Sequence, residues 1–136
     1  MELNNRFCTV IGCMDGRIQL PVNHYLQKRF GAAFVDTITE AGPNLILAEQ
    51  TSPFLLESIL KRLSTSVNAH HSCGIAIVGH HDCAGNPSPP EIQAQHLRKA
   101  MAFLRQTYPT IEIIALWVDE NWQVHEINEP PQQTDP

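Results

Sequence analysis

No stretch of the chain is apolar for 18 residues together, so it offers no segment of the length that a membrane-spanning helix requires. Basic residues are few: nine Lys and Arg stand against 14 Asp and Glu, giving a net charge of −5. They are scattered, and the densest groups, Lys28-Arg29 and Lys61-Arg62, read as helix ends. That argues against a nucleic-acid partner, because phosphate binding needs clustered cations. Met1 to Asn5 carry neither the basic start nor the apolar core of a secretion signal, and a cytoplasmic location is expected. Cysteine is limited to four, and in a reducing compartment those thiols point to metal binding or catalysis before disulfides. What the chain does have is a globular balance, 43% hydrophobic and 17% charged, over 136 residues that suit one domain with one core.

Arg6 to Gly12 is a short, β-branched apolar run that reads as a buried strand, ending in Cys13-Met14-Asp15-Gly16-Arg17. A helix is expected from about Leu20 to Arg29, stopped by Gly31, and a second strand from Ala33 to Ile38. Ala41-Gly42-Pro43-Asn44 then breaks the chain, and Leu45 to Gln50 has the makings of a further helical turn. A longer helix starts at Pro53 with Ser52 as its cap and carries an apolar stripe at Leu55, Ile59 and Leu63. Gly74 to Gly79 is almost wholly apolar and reads as a central strand, followed by a polar loop from His80 to Pro87. Ser88-Pro89-Pro90-Glu91 has the spacing of a capping box, opening a helix to about Thr107 with Ile92, Leu97, Met101 and Leu104 inward. Ile111 to Val118 and Trp122 to Ile127 complete the strands.

This order implies a single-domain α/β fold of three layers: a mostly parallel sheet, order 2-1-3-4, with helices on both faces. The last strand lies close enough in sequence to its predecessor to form an antiparallel edge. The domain is read as residues 1–128, and the proline-rich, polar stretch 129–136 as a disordered tail.

Two strand ends carry the chemistry. The first strand stops at Cys13 and the third at His80-His81-Asp82-Cys83. In a doubly wound sheet these strands are commonly neighbours, and ligands collect beyond their ends where the winding reverses. Thiolate, imidazole and thiolate suit zinc, and three protein ligands leave a fourth tetrahedral position for water. Asp15 lies two residues from Cys13, with Arg17 two further on, so a guanidinium can grip the carboxylate in bidentate fashion and keep it ionised.

Cys13-x-Asp15-x-Arg17 followed by His80-x-x-Cys83 resembles the signature of the β-class carbonic anhydrases. The resemblance spans most of the chain. Ile75 to Gly79 is similar to the family's third strand, Phe34-Val35 and Ala41-Gly42 to its second strand and following loop, and Ile111 to Ile127 to its closing hairpin. It implies zinc on Cys13, His80 and Cys83, with Asp15 and Arg17 acting on the metal's fourth ligand. The implied reaction is hydration of carbon dioxide to bicarbonate by zinc-bound hydroxide, in a homodimer or higher homo-oligomer. In some members the aspartate itself takes the fourth position in a closed resting state, and the sequence leaves both states open. Thr39-Glu40 stands where the family usually has Arg-Asn, and Glu40 would disfavour bicarbonate if it bordered the site. Ala84, then Gly85, stands where a glycine directly follows the second cysteine, and Gly16 where serine is common. Five residues precede the first strand, where the family has helices that embrace a partner subunit.

Two functions follow. One is a zinc hydro-lyase acting on carbon dioxide, or on a related heterocumulene such as carbonyl sulfide or carbon disulfide. The other is a non-catalytic relative whose zinc stabilises the fold or senses thiol oxidation. The Asp15–Arg17 pair favours the enzyme, since a structural zinc needs neither and ordinarily has four Cys or His ligands. Other chemistry-bearing residues read as structural. Cys8 and Cys73 are buried hydrophobes, His70-His71 lie in a solvated loop, and His81 lies outside the ligand set. His24, His96 and His125 belong to the surface, and Trp117 and Trp122 are packing aromatics.

Overall fold

The computed structural model describes residues 4–128. The expected tail, 129–136, lies outside the described residues. The elements in chain order are β1 (Phe7–Cys13), α1 (Gln19–Phe30), β2 (Phe34–Glu40), α2 (Pro43–Glu49), α3 (Pro53–His70), β3 (Gly74–His80), α4 (Pro90–Thr107), β4 (Glu112–Val118) and β5 (Val124–Ile127). They build one five-stranded sheet of order β2-β1-β3-β4-β5. The first four strands are parallel and β5 pairs antiparallel with β4, as expected.

All seven residues of β3 are buried, which is what a central strand covered on both faces requires. Alternation along the strands sorts the core into two layers. On one face Val22, Leu26 and Phe30 of α1, spaced one turn apart, pack on Val10, Ala76, Val78, Ile114 and Leu116. On the other, Leu47 of α2, Ile59 and Leu63 of α3, and Leu97, Met101 and Leu104 of α4 pack on Ile11, Ile38, Ile75, Ile77 and Ala115.

Several boundaries differ from expectation, each for a local reason. β2 runs on to Glu40, so Thr39 and Glu40 are strand residues and Glu40 pairs in register with Cys13. α2 starts early, at Pro43, because Gly42 takes the left-handed conformation (φ 63°) of its N-cap. The N-cap of α4 is Pro89 rather than Ser88. Ser88 is committed to the preceding loop instead: its amide donates to Asn86 Oδ1 and its carbonyl accepts from Gln93 Nε2. Ile92 is exposed, and Gln93 occupies the inward position beside it. β5 starts at Val124, because Trp122 has φ 61° and cannot extend a strand. No described helix is long and apolar enough to cross a membrane.

Candidate metal centre

β1 and β3 are hydrogen-bonded neighbours, and the winding of the sheet reverses between them. Their last residues, Cys13 and His80, therefore meet at the crevice where such sheets gather ligands. Cys83 joins them from the loop after β3. The Sγ atoms of Cys13 and Cys83 and a ring nitrogen of His80 all lie within 4.8 Å of one another, and all three residues are buried.

The donor set fits zinc in three ways. The two sulfurs are 3.8 Å apart, and two thiolates each about 2.3 Å from one tetrahedral zinc would be about 3.8 Å apart. His80 Nδ1 lies 2.7 Å from the carbonyl of His81, which fixes the proton on Nδ1 and leaves Nε2 as a lone-pair donor. Among the described residues, His80 Nε2 is also one of two buried side-chain nitrogens or oxygens without a hydrogen-bond partner, the other being Arg98 Nε. Such an atom is costly to bury unless something is to be bound there.

The electrostatics point the same way. The Cys13 thiol is held well below its usual range, chiefly by the hydrogen bond from Cys83 and, against the opposing effect of burial, by His80 and the Gly42 and Asp15 backbone amides. Cys83 is pushed up by that same bond and by burial. Burial works against a charged His80, but the Cys13 sulfur and the His81 carbonyl outweigh it and raise its pKa. The cluster is electron-rich and favours positive charge at its centre.

Beside it, Asp15 and Arg17 form the expected pair. Arg17 Nε donates to Asp15 Oδ1 at 3.1 Å and Nη2 to Oδ2 at 2.7 Å, while the Arg17 amide caps Oδ1 at 2.9 Å. The guanidinium hydrogen bonds hold the Asp15 carboxyl down at about 2. Both carboxylate oxygens are thereby occupied. Asp82, in a left-handed turn (φ 56°), accepts from Arg17 through Oδ2 and through its carbonyl.

Several supporting residues are absent from the motif. Gln19 Nε2 donates to the carbonyls of Cys13 and Asp15, pinning the loop that joins them. Gln93 donates to the carbonyls of His80, Asn86 and Ser88 and accepts from Asn44, whose own Oδ1 takes a bond from Asn86. Asn86 is also 3.0 Å from His96 Nδ1, so His96 is a buried network residue, not a surface one. A signal existed for Gln93: it is a polar residue on the apolar stripe continued by Leu97, Met101 and Leu104. The backbones of the Ala41–Gly42 and Gly85–Asn86 segments touch so closely that a Cβ on Gly42 would lie 2.6 Å from the Gly85 carbonyl. Glu40 does not face the site as a bare anion, because Arg62 Nη2 neutralises it at 2.6 Å.

The residues read as structural fall mostly as expected. Cys8 is buried, Cys73 is part-buried, and His81 and His24 are exposed. His70 ends α3, bound to Asp36 and stacked on Phe7. His125 binds Asp119 at 2.7 Å. Trp117 and Trp122 both pack on the core as expected, and Trp122 also lies under Arg17, 4.6 Å from ring centre to guanidinium carbon.

Solved structures similar to this chain include β-carbonic anhydrases. One of two tetrameric β-carbonic anhydrases from Sordaria macrospora has a TM-score of 0.64 at 11% identity, covering 93% of this chain and 82% of that one. A carbonic anhydrase from Glaciozyma antarctica has a TM-score of 0.61 at 15% identity, over 93% of this chain and 83% of its own. A β-carbonic anhydrase of Aspergillus fumigatus has a TM-score of 0.55 at 15% identity, over 91% and 90%. The fold is thus that of the β-carbonic anhydrases. Residues 3–128 match the model of the family described as "Putative carbonic anhydrase", and the chain belongs to that family. No curated protein matches it in sequence.

Proposed function

We propose that the protein binds zinc through Cys13, His80 and Cys83 and hydrates carbon dioxide reversibly to bicarbonate. The observation that carries the reading is the position of Asp15. Asp15 is two residues from Cys13, close enough to His80 for their charges to interact, outside the three-donor cluster, and held at both oxygens by Arg17, so it can orient a proton without itself closing the donor set. Zinc, when bound, would supply Lewis acidity, bringing the pKa of water down towards ~7.

The chain's own residues do the rest. Asp15, kept ionised by Arg17 far below neutral pH, accepts a hydrogen bond from the reacting hydroxyl group and fixes its direction. Arg17 restricts the carboxylate to one orientation and adds positive charge near the bicarbonate product. His80, tied at Nδ1 to His81, presents one nitrogen only. The Gln93 and Asn86 contacts keep the His80–Ser88 loop from shifting. The neutralisation of Glu40 by Arg62 removes the objection that an acid there would repel bicarbonate.

The reading extends to a homo-oligomer in a reducing, cytoplasmic setting. The outer edge of β2, with the exposed Phe34 at its start, is the surface a second copy would use.

The test is zinc per subunit together with stopped-flow hydration of carbon dioxide from about pH 6.5 to 9, with Asp15→Asn and Cys83→Ser as controls. A rate that rises with pH and collapses in both variants supports the proposal. One zinc per chain without hydration at any pH refutes the activity, and zinc-free reduced protein refutes the metal site.

A further inference from the structure

Arg17 has neighbours on three sides, and two of them have left-handed backbone. Asp15 and Asp82 bind its guanidinium nitrogens, and the guanidinium carbon lies over the indole of Trp122, 4.6 Å from the ring centre. Among the described residues, four non-glycine residues have positive φ: Gln50, His71, Asp82 and Trp122. Gln50 and His71 end helices, where the left-handed conformation is routine. The other two both touch Arg17. Aspartate tolerates this conformation, but a large aromatic residue adopts it only where its surroundings impose it.

The surroundings here are a turn organised by Asp119. Its Oδ1 accepts from the amides of Asn121 and Gln123, its carbonyl accepts from the Trp122 amide, and its Oδ2 binds His125. Glycine or asparagine at position 122 would relax this turn. The turn carries an indole instead, and the indole neighbours both Arg17 and the ring of His81, whose carbonyl orients His80.

We propose that Trp122 is a positioning residue: carried over the site on the β4–β5 turn, it holds Arg17 in its bidentate grip on Asp15. In-plane hydrogen bonds fix a guanidinium along its edges but leave it free to tilt. A ring held against the guanidinium carbon restricts that freedom and displaces water from beside it. Arg17 has nearly half of its side chain exposed, so without the indole it would exchange Asp15 for water readily. This inference deepens the reading of Asp15 and Arg17 given above and rests on it for its catalytic meaning.

The test reads Arg17 directly, through the solvent exchange of its Nε–H in ¹⁵N-labelled protein, with the signal identified by its loss in Arg17→Lys. Trp122→Asn, which suits the left-handed turn, should speed that exchange at least about tenfold and lower kcat for hydration about tenfold, leaving KM and zinc content unchanged. Trp122→Phe should retain most of both. Unchanged Arg17 exchange in folded Trp122→Asn overturns the proposal, even if its melting temperature falls, because Trp122 would then only pack. If Trp122→Asn does not fold, Trp122 emission in a Trp117→Phe background decides: it must change on Arg17→Ala, and constancy overturns the contact. Exchange that depends on Trp122 in a protein with no hydration supports the positioning role while refuting the proposed activity.

Discussion

The side-chain amide of Gln93 donates to the backbone carbonyl of His80 at 3.2 Å, linking the buried face of α4 to the end of β3. The same nitrogen reaches Asn86 and Ser88, so one residue from outside the motif supports the loop that carries its second half. Gln93→Leu preserves the volume but takes away the partner of the Asn44 amide and of these carbonyls. The expected cost is about 2–3 kcal/mol of stability, seen as a lower urea midpoint at unchanged m-value. Zinc affinity should fall about 10- to 100-fold, the range for groups that orient ligands without touching the metal. An unchanged affinity in a competitive chelator titration would contradict this.

Glycines around the site are not equivalent. A Cβ on Gly85 would be forced into the backbone at Ala41 and Gly42, whereas a Cβ on Gly16 meets nothing within 4 Å. Gly85→Ala should therefore destabilise by more than ~1 kcal/mol and separate the two loops. Gly16→Ser should stay within about 0.5 kcal/mol of the parent. Thermal melts of the two variants side by side check the contrast.

The Asp15–Arg17 pair sets a direction for acid sensitivity. An aspartate ordinarily titrates near ~3.9, and Asp15 is held at about 2, first by the Arg17 hydrogen bonds. The unfolded chain thus takes up this proton before the folded one does. The pair's contribution to stability is complete above about pH 4 and is lost as pH falls towards 2. In Asp15→Asn that part of the acid dependence should vanish, so the stability gap between the two proteins narrows on acidification. Urea midpoints measured from pH 7 downwards would show it, and a gap that widens instead would be decisive against it.

Cys8 is pushed up to about 12, first by burial and then by the neighbouring Cys73 and Asp36. Near pH 8 almost no thiolate is present, and the residue is fully buried. Iodoacetamide should label Cys8 only at the rate of unfolding, and part-buried Cys73 sooner. Peptide mass spectrometry over a time course gives the order. Rapid labelling of Cys8 in the folded protein would refute the prediction.

Much of this architecture is legible in sequence because its causes are local. The apolar run of β3, the apolar stripes of α3 and α4, and the strand–helix alternation fix a parallel sheet. Order then follows from winding, and it brings Cys13 to His80. What is not legible depends on distant partners. The charge of Glu40 reads as an unpaired acid until Arg62, a full helix away, neutralises it. His96 reads as surface because nothing nearby reveals Asn86. Trp122 does pack on the core, but its second contact, with Arg17, is hidden because a left-handed aromatic contradicts its own propensity and only the bonds around Asp119 impose it. The cap of α4 slips by one residue because Ser88 is taken up by local bonds to Asn86 and Gln93.

The three donors differ in mechanical standing. His80 is the last residue of a strand paired in register with β4 along its whole length and bonded to β1 at its middle, whereas Cys83 belongs to a loop. Releasing His80 means unzipping the centre of the sheet, an event with the free energy of global unfolding. Releasing Cys83 needs only the loop to lift. A metal held there would leave by a fixed sequence, shedding the loop thiolate first and the imidazole last. Its escape rate would then report the suppleness of the nine residues between β3 and α4, while the strand kept a half-built socket ready for recapture.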